Sequence, residues 1–284
     1  MEPPSPILTD QKITADQKSD DPLSSNIYMI MGDASDEGRE GVFVCAWSVR
    51  TGLAYVGKPG ENDFIKSRIY YTYMALYLRK RLDNKAEIAV WHITETEHEL
   101  LNLTSVPNDE LEEIQLFRSE SQRKQKLAVR ALLNEIFEEK MYLNHHDNGK
   151  PYLENCAVNI SITHTDNYVA VITHDTEEVG VDIESLDRDF AVVEKKALSE
   201  EEIDDLDDDK RNEQLAIYWC AKEAIFKRMS QNRVDFAEQI EVEQFKLRKE
   251  GELEATFIHK DEYEEEFDLE YMMFDRHVLV WLVG

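Results

Sequence analysis

The chain has 284 residues and carries 60 acidic against 32 basic side chains, a formal net charge of −28. That length allows one large domain or two small ones, each with a real core. The charge argues against a nucleic-acid binder, which needs a basic footprint, and against recruitment to anionic membranes. No apolar run approaches the length of a membrane-spanning helix, and the first residues lack the basic start and apolar centre of a secretion signal. Cys45, Cys156 and Cys220 are far apart with no metal-ligand spacing, which fits reduced thiols in a cytoplasmic protein.

Residues 1 to about 25 are rich in Pro, Ser, Asp and Lys and are expected to be disordered. "GVFVCAWSV" and "TGLAYV" form a candidate hairpin across an Arg-Thr-Gly turn. "AEIAVWHI" is expected as a strand, and "TETEHELLNL" as a helix opened by Thr94 and Glu97 at capping-box spacing. "SESQRKQKLAVRALLNEIFEEK" is expected as a long helix with Leu127, Leu132, Leu133 and Phe137 on one stripe. "DNGKPYL" is a Gly-Pro turn, and "AVNISIT", "NYVAVIT" and "EVGVDIE" follow as three strands. Ser199 with Glu202 marks another helix start. "EQLAIYWCAKEAIFKRM" is a helix, and the remainder is strand-rich. Without regular βαβ alternation, this order implies an α+β fold with antiparallel sheets.

Two local patterns carry chemistry. In an extended "EVGVDIE", Val179, Val181 and Ile183 point to one side, and Gly180, Asp182 and Glu184 to the other. Adjacent carboxylates about 5 Å apart repel by roughly 3 kcal/mol at an effective dielectric of 20, so partial burial calls for a cation. The helix from Gln214 to Arg228 is apolar nearly all round, yet Lys222, Glu223 and Lys227 fall within an arc of roughly 140°. On an exposed helix Glu223 and Lys227 would be an ordinary i, i+4 pair, and Asp182 and Glu184 would suit the solvated face of an edge strand. On a buried helix, clustered charge needs compensation. Three carboxylates with no Cys or His ligand suit a hard, oxygen-loving ion, of which Mg2+ fits best.

"VGVDIE" (179–184), followed by "WCAKEAIFK" (219–227), resembles the signature pair of the 4'-phosphopantetheinyl transferase superfamily. "NGKPYL" resembles that family's Gly-Lys-Pro turn. "ISITHT" resembles its Ser-His strand, with Thr163 before His164 where Ser is commoner. The resemblance covers about 86–284 and is nearest to the two-lobed, Sfp-like branch.

The resemblance implies a pseudo-dimeric monomer of two similar α+β lobes, mainly antiparallel sheet with packed helices: 74–175, and 176–284 carrying the metal site. Residues 1–73 would be an N-terminal extension, partly disordered, either a mis-called start or an appended segment. The implied chemistry is transfer of 4'-phosphopantetheine from coenzyme A to a serine of an apo acyl or peptidyl carrier protein, with release of 3',5'-ADP. Asp182, Glu184 and Glu223 would hold magnesium. Glu223 would take the serine proton, and Lys227 would neutralise or protonate the leaving phosphate. Arg130, Lys150 and His164 would hold the coenzyme. Arg130 belongs to the densest basic island of the chain, with Arg118, Arg123, Lys124 and Lys126, which otherwise has the character of a solvated helix face; Lys150 lies in the turn beyond, and His164, at a strand end, has its role from the resemblance alone. The rival readings are a catalytically inactive coenzyme A or nucleotide-binding module and an acidic interaction protein that binds no metal.

Overall fold

A computed structural model of the protein describes residues 27–33, 42–48, 54–57, 75–104, 106–231, 233–260 and 263–284. The chain divides into two units, 1–67 and 68–284. In the first unit, β1 (Ile27–Asp33), β2 (Val42–Ser48) and β3 (Ala54–Gly57) form an antiparallel sheet in that order. The expected hairpin is the β2–β3 pair, and β1 adds a strand to it. The disorder expected of 1 to about 25 falls outside the described residues.

The second unit opens with β4 (Leu76–Arg81) and β5 (Glu87–His92), then α1 (Glu97–Leu103), α2 (Asn108–Gln115) and α3 (Glu120–Ile136). The N-terminus of α1 differs from the expectation by two residues. Its cap is Thr96, whose hydroxyl accepts from the Glu99 N–H while Glu99 reaches back to Thr96. The Thr94 N–H instead donates to the buried Glu95 carboxylate. A short hairpin, β6 (Leu143–His145) and β7 (Pro151–Leu153), folds around Gly149, whose φ of 86° suits glycine.

β8 (Asn159–His164) and β9 (Tyr168–His174) complete a four-stranded sheet in the order β4-β5-β9-β8. β10 (Val179–Ser185) then begins a second sheet. After it come α4 (Ala191–Ala197), α5 (Glu200–Asp204), α6 (Arg211–Met229) and α7 (Phe236–Gln239). The last strands are β11 (Ile240–Val242), β12 (Glu250–Ile258), β13 (Glu264–Phe274) and β14 (His277–Val283). The second sheet runs β10-β14-β13-β12-β11. Among the described residues every strand pair is antiparallel, so the unit is α+β with helices packed on its sheets.

Strand alternation builds three apolar layers. Ala89, Trp91, Val169 and Val171 face α3. From the same strands, Ile88, Val90, Ala170 and Ile172 meet Val179, Val181, Ile183, Leu279 and Trp281 of the second sheet. On that sheet's far side, Val278, Val280 and Leu282 pack against α6. Gly180 lies on the α6 side, where a Cβ would sit 2.0 Å from the Ala224 carbonyl oxygen. The strand and the helix that carry the charged motifs are therefore pressed backbone to backbone.

Candidate functional site

The expected alternation of β10 holds. Val179, Val181 and Ile183 are buried between the sheets, while Gly180, Asp182 and Glu184 lie on the α6 side. β10 and β8 are the facing edge strands of the two sheets, and hydroxyls join them where a backbone ladder is lacking. The Val181 N–H donates to Ser161 Oγ at 3.2 Å and the Ile183 N–H to Thr163 Oγ1 at 3.3 Å. Thr163 Oγ1 in turn donates to Asp182 Oδ1 at 2.9 Å. "ISIT" thus alternates a core face, Ile160 and Ile162, with a hydroxyl face that presents Asp182.

Asp182 is only 6% exposed. Its Oδ1 also accepts from Lys227 Nζ at 2.7 Å, and the same ammonium donates to the Val181 carbonyl at 3.0 Å. Its Oδ2 is buried and has no partner among the described residues. Glu184 Oε1 accepts from Trp219 Nε1 at 2.9 Å and from Arg188 at 2.5 Å. Arg188 lies over the rings of Phe190 and Trp219, so its position is set by aromatic contact as well as by charge.

Glu223 faces this group from α6. Burial and then the charge of Asp182 push its carboxyl up to about 7; Lys227 opposes the shift and Glu184 adds to it. Glu184 is raised for the same reasons, burial first and Asp182 second. The neighbouring Cys220 thiol, wholly buried, is pushed well up as well, by burial and then by Asp182 and Glu184. Asp182, Glu184, Glu223 and Lys227 therefore share one electrostatic neighbourhood. As these side chains stand, no three His, Cys, Asp or Glu residues among those described form a group able to hold a metal. Asp182 is paired with Lys227, and Glu184 with Arg188. The donor chemistry nonetheless suits a hard cation: three carboxylates, two of them raised by burial and then by the charge of Asp182, and one buried oxygen without a partner among the described residues.

Lys222 corrects the expected charge cluster. It is wholly buried on another side of α6, where it pairs with Glu202 at 2.6 Å and donates to the carbonyls of Phe236 and Ile240. The Ser199–Glu202 capping box that the sequence indicated is what sets Glu202 in place. Lys222 ties α5, α6 and the start of β11 together, apart from Asp182.

The expected coenzyme-holding residues are spread more widely. His164 ends β8 and lines a pocket of about 470 Å³ with Gln125, Glu184, Arg188 and His277. Its imidazole, although solvent can reach it, is held below the usual range by partial burial and then by Lys126 and Lys227. Arg130 is paired with Glu110 and donates to the Leu143 carbonyl. Lys150 is paired with Glu178. Lys126, from the same basic region, is the cation facing both His164 and His145. Sequence reasoning did not single out Arg188 or His277, and took Trp219 as part of the signature and of an apolar helix side without its hydrogen bond to Glu184. A larger concavity of about 1070 Å³ lies against β12 and β13 and holds none of the expected site residues.

Residues 178–279 match the model of the family described as the 4'-phosphopantetheinyl transferase superfamily. The matched stretch includes Asp182, Glu184, Glu223 and Lys227, all in the neighbourhood described above. No curated protein matches the chain. Among the described residues, no helix is long and apolar enough to cross a membrane.

Proposed function

We propose that the protein is a phosphopantetheinyl transferase of the Sfp-like kind, moving 4'-phosphopantetheine from coenzyme A to a serine of an apo acyl or peptidyl carrier protein. The observation that carries this reading is the convergence of Asp182, Glu184, Glu223 and Lys227 within the stretch that matches the family. A purely structural role leaves the two raised glutamates unexplained, because buried like charges destabilise the fold. That disfavours the acidic interaction protein.

Magnesium would be held by Asp182, Glu184 and Glu223, and when bound would neutralise charge on the pyrophosphate oxygens. The protein's own groups supply the rest. Glu223, carried on α6 beside Asp182 and Glu184, accepts the proton of the attacking serine hydroxyl. Lys227, one turn along α6, donates to the phosphate oxygen on the leaving side. Thr163 and the Val181 carbonyl hold Asp182 and Lys227 in register, so both reach the substrate already oriented. Lys126, Arg130 and Lys150 provide the cationic side of the nucleotide site, with the His164 imidazole beside them. In this reading the protein acts in the cytoplasm as a monomer, its two sheets corresponding to the two lobes.

The experiment is to incubate the protein with coenzyme A, magnesium and an apo carrier protein, and to quantify 3',5'-ADP by chromatography. Nucleotide release that requires both the carrier and magnesium supports the proposal. Release independent of carrier, or none with any carrier tried, rejects it in favour of a coenzyme-binding module.

A further inference from the structure

Trp219, Glu223 and Lys227 follow one another at i, i+4 and i+8 on α6, within an arc of roughly 80°. The two outer residues both donate to β10. Lys227 Nζ donates to Asp182 Oδ1 at 2.7 Å, and Trp219 Nε1 donates to Glu184 Oε1 at 2.9 Å. The acceptors stand two residues apart on one face of the strand. The helix is thus fastened to each strand carboxylate, with Glu223 midway between the two fastenings.

The two fastenings differ in charge. Lys227 forms an ion pair, whereas the indole N–H is a neutral group that only donates. It holds Glu184 without adding the positive charge that Arg188 brings to the same Oε1 at 2.5 Å. Glu184 lines the pocket of about 470 Å³ and Trp219 does not, so the indole holds the carboxylate from outside the pocket. The indole is itself supported. The Phe236 ring lies 5.6 Å away, centroid to centroid, and the Arg188 guanidinium sits over the indole face at 5.6 Å. Carboxylates that ligate a metal are commonly oriented by a further donor of this kind, and its loss weakens the metal.

We propose that Trp219 is a positioning residue, whose indole N–H fixes the Glu184 carboxylate for a divalent cation shared with Asp182 and Glu223 and so sets the affinity for that cation. This rests on the transferase reading above, which supplies the cation, and adds to it a residue that acts through Glu184 rather than on the substrate. Trp219 and Arg188 then work in opposite senses. The guanidinium competes with the cation for Glu184, and the uncharged indole orients Glu184 without competing.

The test is Mn2+ binding, measured by electron paramagnetic resonance without coenzyme A, to the full chain, to Trp219→Phe and to Trp219→Ala. Phenylalanine keeps an aromatic ring beside Phe236 and Arg188 and removes the donor; alanine removes both. Each variant is expected to bind Mn2+ about tenfold more weakly than the unmodified protein. In transfer assays of Trp219→Phe, the Mg2+ concentration giving half-maximal rate should rise by about the same factor, with the rate at saturating Mg2+ kept within about twofold. Unchanged Mn2+ affinity in Trp219→Phe, with or without weakening in Trp219→Ala, would overturn the assignment, because the ring and not the donor would then matter. A large fall in the saturated rate of Trp219→Phe would overturn it too, since that marks general damage to the site. If the unmodified protein binds no Mn2+, the metal site of the transferase reading falls first and this inference with it. If it binds Mn2+ but modifies no carrier, the transferase reading fails alone, and the Mn2+ affinities still decide the role of Trp219.

Discussion

Lys227 Nζ lies 2.7 Å from Asp182 Oδ1 and 3.0 Å from the Val181 carbonyl oxygen, so one ammonium of α6 grips both side chain and backbone of β10. The pair is mostly buried, with 27% and 9% of the two side chains exposed. Removing one partner of such a pair strands the other charge. Lys227→Ala is therefore expected to lower folding stability by about 2–4 kcal/mol as well as to reduce turnover by a hundredfold or more. Chemical denaturation and steady-state transfer assays measure the two effects. Loss of turnover with full stability would mean that the Asp182 contact is not structural.

Glu223 makes the opposite prediction for stability. Its carboxyl is raised to about 7 from an ordinary value of 4.5, so the folded state holds the proton more tightly than the unfolded chain does. Above pH 7 the buried charge burdens the fold in full. As pH falls through 7 the folded protein takes up the proton, and the burden is gone below 4.5. In metal-free buffer, Glu223→Gln should thus be more stable than the unmodified protein at pH 8, by no more than about 3 kcal/mol, with the advantage vanishing near pH 4.5. The same variant should lose transfer activity. A Gln variant less stable at pH 8 would contradict the burial of this charge.

Gly180 tests the seating of the helix on the strand. A Cβ there would lie 2.0 Å from the Ala224 carbonyl oxygen and 2.9 Å from its carbon, both backbone atoms that cannot swing aside. Gly180→Ala should force α6 off β10. It is expected to lower stability by about 1–3 kcal/mol, in the manner of an overpacked core, and to disable the site, because Asp182 and Glu223 are carried on these two elements. Thermal unfolding of the variant reads this out, and a melting temperature within a degree or two of the original would refute the close approach.

Arg188 and a divalent cation would compete for the same oxygen. Its guanidinium lies 2.5 Å from Glu184 Oε1, while Phe190 and Trp219 support it from below. Replacing it with alanine should tighten Mn2+ binding, measured by electron paramagnetic resonance without coenzyme A, by about three- to tenfold. Weaker Mn2+ binding would show that Arg188 organises the carboxylates rather than blocking them.

Much of this site is visible in the sequence because its elements are strongly periodic. The alternation Val179-Gly180-Val181-Asp182-Ile183-Glu184 fixes which carboxylates share a face, and the apolar surround of α6 marks Glu223 and Lys227 as charges needing partners. The same helical angles mislead for Lys222. An arc about the helix axis gives direction without naming what packs there, and Lys222 turns to Glu202 instead. The seam between β8 and β10 is not legible either. Ser161 and Thr163 are unremarkable hydroxyls until two separate sheets bring their edges together. Nor does the sequence show that Arg130 and Lys150, expected from the resemblance to hold the coenzyme, are paired with Glu110 and Glu178, because those carboxylates lie 20 and 28 residues away along the chain.

The most direct measurement of the central claim is the intact mass of several purified apo carrier proteins after incubation with the protein, coenzyme A and magnesium. The account predicts that at least one carrier gains a single phosphopantetheine on serine, and that neither Glu223→Gln nor a magnesium-free reaction produces the shift. No gain on any carrier by a protein that is folded and binds coenzyme A, or an undiminished gain with Glu223→Gln, would contradict it.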